Sequence, residues 1–235
     1  MRELHTFKPA MGVRCPSPFG LKADALLAMS GLDYERVFSD VRKAPLKKFP
    51  VLKDGDALIA DSSRIAAHLR KAYGFDPDAH LSPAERADAL AYQRLVEEHL
   101  YYIGMYFRWI EEPVAIREGY FDELPRPMRN IVFSLVLRQV RRDLHGQGLG
   151  RHDRATLIEF ARADFDALAT RLGGNRYFMG DRISGIDATM LGALENAVSV
   201  DLDGPYREAV CAHDNLIAYC DRLRTEIFPD AARAG

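Results

Sequence analysis

The segment from Lys48 to Ser63 constrains the fold more than any other. Lys48-Phe49-Pro50-Val51-Leu52 puts a proline at the first residue of an apolar run, where a strand does not need the missing donor. Val51-Leu52-Lys53 and Ala57-Leu58-Ile59-Ala60 flank Asp54-Gly55-Asp56, a tight-turn signal that predicts two antiparallel strands. Asp61-Ser62-Ser63 follows at once and offers side-chain acceptors to the free N–H groups of a helix running to Tyr73-Gly74. A hairpin joined directly to a capped helix rules out an all-helical or all-β reading of this region.

Upstream, Leu4-His5-Thr6-Phe7 predicts a first strand. Leu21, Ala25, Leu26 and Met29 then repeat at helical spacing from Phe19 until Ser30-Gly31 stops them. Tyr34-Glu35-Arg36-Val37-Phe38 alternates as a second strand, and a short extra helix is expected near residues 42–48. The order over residues 1–75 is β-α-β-β-β-α. After the loop Phe75-Asp76-Pro77-Asp78-Ala79-His80 the pattern becomes helical throughout. Ser82-Pro83 caps a helix whose Tyr92, Val96, His99, Ile103, Tyr106 and Ile110 keep one face until Pro113. Further helices are expected over Met128–His145, stopped by Gly146, and over Arg154–Leu172, between Asp153 and Gly173-Gly174. Two more are expected over Gly185–Val198, capped by Ser184, and over Leu216–Ile227, ahead of Pro229. An α/β domain over residues 1–75 thus precedes an all-α domain over residues 82–235.

Composition narrows the partners. Lys plus Arg number 32 against 34 Asp plus Glu, a net charge of −2 over 235 residues, so no overall basic field exists to recruit nucleic acid or an anionic membrane. Cys15, Cys211 and Cys220 are too few and too scattered for a disulfide framework or a closed zinc site, and the seven histidines show no metal spacing. The first residues lack an apolar signal core, and the longest nearly apolar run, Ile131–Leu137, falls far short of the roughly 20 residues that span a bilayer. A cytoplasmic protein with no metal, no nucleic acid and no membrane insertion is the expectation.

Three places in the first domain suit a ligand. Ser17-Pro18-Phe19-Gly20-Leu21-Lys22 sits between the first strand and helix, so the Ser17 hydroxyl falls at a helix N-terminus, where the dipole and free N–H groups favour an anion. A cis bond at Phe49-Pro50 would turn the Phe49 backbone N–H and C=O toward the same space. Asp61-Ser62 gathers a carboxylate, a hydroxyl and free N–H groups at a second helix start, which suits a ligand bearing an ammonium and a carboxylate on one carbon. Taken singly, Ser17 and Asp61 read as ordinary helix caps.

Taken in order, these motifs resemble a cytosolic glutathione transferase, with a thioredoxin-like N-terminal domain and an all-α C-terminal bundle. Residues 44–74 resemble the glutathione-site half of that fold. Met179-Gly180-Asp181-Arg182-Ile183-Ser184-Gly185-Ile186-Asp187-Ala188 resembles the family's buried N-capping box, closed by Ser184 and Asp187 and structural in role. Glu98-His99-Leu100-Tyr101 and Gln147-Gly148-Leu149-Gly150-Arg151-His152, with the Ser17 segment, resemble the bacterial branch related to failed axon connections and metaxin.

The resemblance implies that Ser17 stabilises a glutathione thiolate for attack on an electrophilic, partly apolar molecule, as in detoxification. It implies that Phe49 and Pro50 hold the cysteinyl unit and that Asp61 and Ser62 hold the γ-glutamyl end. Lys48, or Arg42 with Lys43, is expected at the glycyl carboxylate, although the short stretch from Phe38 to Pro50 leaves little room for the family's usual second helix. Tyr101, Met105 and Arg108 are expected to line the electrophile pocket, and the protein to be a homodimer. Two alternatives accompany this reading. One is a non-catalytic, metaxin-like binding or adaptor protein; the other is a thiol-disulfide oxidoreductase using Cys15, which has no second cysteine to complete a C-x-x-C because Pro18 fills that slot.

Overall fold

The computed structural model describes residues 1–200 and 202–229; the end of the expected second domain, residues 230–235, lies outside the described residues. Its first part is a four-stranded sheet of β1 (Arg2–Thr6), β2 (Tyr34–Phe38), β3 (Val51–Asp54) and β4 (Ala57–Ala60), in the order β2-β1-β3-β4. β1 pairs parallel with β2, Leu4 opposite Arg36, and antiparallel with β3, Leu4 opposite Leu52. The β1–β2 pair needs a crossover, supplied by α1 (Pro18–Ser30), while β3 and β4 need only the turn at Gly55, whose φ is +59°. α2 (Ser62–Tyr73) follows β4 directly and ends at Gly74 in the left-handed region. This is the thioredoxin-like arrangement. The short helix expected near residues 42–48 reduces to one 3-10 turn over Val41–Lys43.

Among the described residues, everything after residue 82 is helical or loop, apart from an isolated bridge between Tyr177 and Gly180. α3 (Pro83–Arg94), a π-helical stretch Leu95–Leu100, α4 (Tyr101–Tyr106) and a second π-helical stretch Phe107–Glu111 run on as one long rod. π-Helical turns are rare and gather at functional sites; Glu97 lies in the first and Arg108 in the second. α5 (Pro113–Tyr120), α6 (Arg126–Gln147), α7 (Arg154–Leu172), α8 (Gly185–Val198), α9 (Pro205–Cys211) and α10 (Asp214–Ile227) complete the bundle. α5 and α9 were not expected. Each opens at a proline, Pro113 and Pro205, because the first turn of a helix has no use for that N–H: proline starts a helix as readily as it stops one. α6 runs through Gly146 and stops at Gly148, whose φ of +116° leaves the helical region.

One apolar core joins the two parts. α8 lies against α1, and Gly192 makes the contact possible: a Cβ there would stand 2.3 Å from the Pro18 carbonyl oxygen. α1 is therefore covered on one side by the sheet and on the other by α8, and Gly20 through Leu27 are all buried. That packing carries the N-terminus of α1, and Ser17 with it, to the junction of the two parts.

Candidate functional site

Ser17 caps α1. Its Oγ accepts from the Gly20 N–H at 3.2 Å, so the hydroxyl proton is left to point elsewhere. The loop leading to it is gripped from two sides. On the sheet side, fully buried Asp24 receives Arg14 Nε at 2.7 Å and the Tyr34 hydroxyl, with Arg36 Nε at 3.2 Å, while Arg36 also donates to the Arg14 carbonyl at 2.7 Å. On the helical side, Asn196 Nδ2 donates to the Cys15 carbonyl at 3.0 Å and Arg108 donates to the Pro16 carbonyl at 2.9 Å. Gly20 leaves room beneath, where a Cβ would meet Cys15 Sγ and Thr6 Oγ1 at 2.7 Å. Cys15 is fully buried against Thr6 and burial pushes its thiol up, so it presents no accessible thiolate for disulfide exchange.

The Phe49-Pro50 bond is cis. Phe49 packs edge-on against Phe7, with ring centroids 5.2 Å apart. Among the described residues its backbone N–H and C=O take no hydrogen-bond partner, which leaves both for a ligand. The Pro50 carbonyl, next along, accepts from the Asp61 N–H at 3.1 Å and so locks the two loops together. Asp61 holds φ at +84°, an unusual conformation for a residue with a side chain. Its Oδ1 accepts from Ser63 N at 2.8 Å and Arg64 N at 3.2 Å. The N–H of Ser62, first in the helix, has no such acceptor, and the buried Ser62 side chain faces the same space.

Ser17, Lys48, Phe49, Pro50, Asp61 and Ser62 all line one cavity of about 1360 Å³, and Tyr101, Met105 and Arg108 line it from the long rod. Arg42 does not. Its guanidinium, 87% exposed, is held at the rim by Asp40 at 2.7 Å, and that pairing keeps the Asp40 carboxyl down at about 2. Arg42 is thus not brought together with the other expected residues, and its partner is a carboxylate two residues away. Tyr101 packs edge-on against Phe19, centroids 4.9 Å apart, and burial pushes its hydroxyl up to about 12, so it stays protonated.

Two groups at the cavity escaped sequence reasoning. Buried Lys22 donates to buried Glu97 at 2.6 Å directly behind the start of α2, where Gln93 bridges Ser63 and Glu97 at 3.2 and 2.8 Å. A lysine inside the apolar stretch of α1 was the available signal. Asn196 binds both the Ser17 loop and Arg108, and nothing in its sequence context marks it.

Away from the cavity, Ser184 and Asp187 close a capping box. The buried Asp187 carboxylate accepts from Phe178 N at 2.8 Å, Ser184 N at 2.7 Å, Ser184 Oγ at 2.8 Å and the Tyr219 hydroxyl. Among the described residues no group of three or more His, Cys, Asp or Glu could hold a metal ion, and no helix is long and apolar enough to cross a membrane.

Comparison with known proteins agrees with this fold. The glutathione S-transferase N-terminal domain family matches residues 18–114 and the glutathione S-transferase C-terminal domain family matches residues 161–223. The chain is 29% identical over 237 residues to an isoprene-epoxide glutathione S-transferase of Rhodococcus sp. (strain AD45), covering 96% of this chain and 99% of that one. It is 27% identical to failed axon connections of Drosophila melanogaster, covering 91% of this chain and 55% of that longer protein. Identity to human metaxin-2 is 25%, covering 81% and 73%. Among solved structures, a glutathione S-transferase of Ceriporiopsis subvermispora in complex with glutathione superposes with a TM-score of 0.66 at 18% identity, covering 96% of each chain.

Proposed function

The chain belongs to the glutathione S-transferase superfamily, on the branch of failed axon connections and the metaxins, and from that premise we propose that it is a glutathione-dependent transferase acting on small, partly apolar electrophiles. The observation that carries the reading is the pair of unclaimed backbone groups on Phe49, beside the Ser17 hydroxyl and the α2 N-terminus in one cavity. In this reading the Phe49 N–H and C=O pair with the cysteinyl unit as an added strand would, and the Ser62 N–H and hydroxyl receive the γ-glutamyl carboxylate at a helix N-terminus. Asp61 faces the γ-glutamyl ammonium, and Lys48 is the cation left for the glycyl carboxylate. Ser17, whose oxygen already accepts from Gly20, donates its proton toward the sulfur and favours the thiolate.

Tyr101 and Met105 form part of the electrophile wall. The relative of 29% identity is named for an epoxide, and epoxides are the first substrates to test. The thiolate forms a C–S bond as a ring C–O bond breaks, and the resulting alkoxide takes a proton. Tyr101, kept protonated by burial, is a suitable donor for it. A homodimer is part of the proposal by family habit.

The similarity to metaxin-2 favours a second reading, a binding or adaptor protein that keeps the fold without turnover. Purified protein is mixed with glutathione and either a small terminal epoxide or a reactive aryl halide, and conjugate formation is followed. Turnover that falls at least tenfold in Ser17→Ala supports the transferase, a rise of about 1.4 kcal/mol or more in the barrier. Calorimetry that detects no binding at millimolar glutathione, or binding without turnover on either substrate, favours the adaptor.

A further inference from the structure

Arg108 makes four hydrogen bonds, and none goes to a carboxylate. It donates to the Pro16 carbonyl at 2.9 Å, to the Tyr120 hydroxyl at 3.2 Å, to Asn196 Oδ1 at 3.2 Å and to the Asn196 carbonyl at 2.6 Å. Among the described residues no acid lies within ion-pair distance of it, whereas the other arginines gripping the Ser17 loop, Arg14 and Arg36, share Asp24. A guanidinium cannot shed its proton, so Arg108 brings a full positive charge to the cavity wall one peptide unit from Ser17, on a π-helical stretch.

The thiol and the phenols around it are neutral. Burial raises the Cys15 thiol and the Tyr120 hydroxyl, and the Tyr101 hydroxyl to about 12; Tyr206 from α9 is raised as well. Of the acids that line the cavity from the long rod, its C-terminal end and α6, Glu97 is held by Lys22 and Glu111 by Arg154, Asp143 accepts from Gln139, Glu98 is exposed near Arg94, and Glu112 has no ion-pair partner among the described residues, Arg108 included. The carbonyls of Cys15 and Pro16, whose negative ends would oppose an anion beside Ser17, are both taken up by Asn196 and Arg108.

We propose that Arg108, fixed by Asn196 and the Pro16 carbonyl, is the positive charge that stabilises the glutathione thiolate at Ser17, acting across the loop without touching the electrophile. The inference rests on the transferase reading and adds a second source of thiolate stabilisation to the serine. Arg108 is then a positioning and electrostatic residue, not part of the electrophile wall. Substituting it should move the ionisation of the bound thiol, which a merely structural role would leave in place.

The thiolate absorbance of bound glutathione is titrated against pH at saturating protein for the wild type, Arg108→Lys, Arg108→Gln and Asn196→Asp. Arg108→Lys keeps the charge. Arg108→Gln keeps a donor for the Pro16 carbonyl without the charge, and Asn196→Asp sets a carboxylate against an intact Arg108. The expected result is an upward shift of the bound-thiol pKa by about one unit, a tenfold loss of thiolate below it, in Arg108→Gln and Asn196→Asp, with Arg108→Lys near the wild type. A wild-type pKa retained in Arg108→Gln or Asn196→Asp, with glutathione bound, overturns the proposal. Absence of glutathione binding by the wild type itself would sink the transferase reading instead.

Discussion

Lys22 Nζ stands 2.6 Å from Glu97 Oε1 with both side chains buried, and this one ion pair ties α1 to the long helical rod behind the start of α2. Each charge is sheltered from water, so removing Glu97 leaves Lys22 uncompensated, and removing Lys22 leaves Glu97 only the half-exposed Arg94 at 3.4 Å. Lys22→Met or Glu97→Gln alone should cost about 3–5 kcal/mol in denaturant unfolding, and the double change Lys22→Met with Glu97→Leu should recover most of that loss. If the double variant is no more stable than the singles, the pair is not the source of the cost.

Gly192→Ala should separate the two halves of the molecule. The added methyl would lie 2.3 Å from the Pro18 carbonyl oxygen, and that atom belongs to backbone at the head of α1, which cannot rotate aside. Overpacking of this kind costs about 1–3 kcal/mol. Because Ser17 precedes Pro18, glutathione affinity measured by calorimetry should fall along with the melting temperature. An alanine variant as stable as the wild type would mean that α8 does not press on α1 so closely.

Glu195 predicts a pH dependence with a definite sign. It is buried on α8, its Oε1 accepts from the Arg14 N–H at 3.3 Å, and its Oε2 has no partner. Burial pushes this carboxyl above its ordinary value of 4.5, so the folded protein keeps the proton at a pH where the unfolded chain has released it. The folded state then binds more protons, and stability falls as pH rises from about 4.5 through the raised value. Glu195→Gln removes that loss while keeping an acceptor for Arg14. It should match the wild type near pH 4 and exceed it at pH 7–8, by about 1.4 kcal/mol for each unit of upward displacement. Parallel stability curves for the two proteins across that range would contradict the assignment.

Local signals made much of the fold legible. Asp61, Asp153 and Ser184 mark the starts of α2, α7 and α8, and Asp54-Gly55-Asp56 marks the hairpin, because caps and tight turns depend on a few adjacent residues. The periodicity of α1 picked out Leu21, Ala25, Leu26 and Met29 but not Lys22 and Asp24, which are as buried as the first three. A one-sided helix pattern cannot show that a second layer, α8, covers the other side. The same limit applies at the cavity. The backbone devices at Phe49, Pro50 and Asp61 follow from neighbouring residues, and so does the pairing of Arg42 with Asp40 two residues before it. The partners of Arg108 depend instead on which carbonyls the tertiary fold brings near, and the Ser17 loop supplies one of them.

Asp187 is the last case, and it separates a helix cap from a buried hub. A surface N-terminal cap replaced by alanine costs about 1 kcal/mol. Here the carboxylate also receives Phe178 N–H from the preceding loop and the Tyr219 hydroxyl from α10, so Asp187→Ala strands four buried donors at once: the N–H groups of Phe178 and Ser184, the Ser184 hydroxyl and the phenol of Tyr219. Each unsatisfied buried group costs about 1–3 kcal/mol, which puts the variant well beyond a cap loss, at about 3 kcal/mol or more. Tyr219→Phe removes one donor together with its share of the demand, so it should cost less than Asp187→Ala. Combined with Asp187→Ala it should add little, since the hydroxyl is already stranded. Full additivity in that double-mutant cycle would show that the two side chains act independently, and the hub would have to be abandoned.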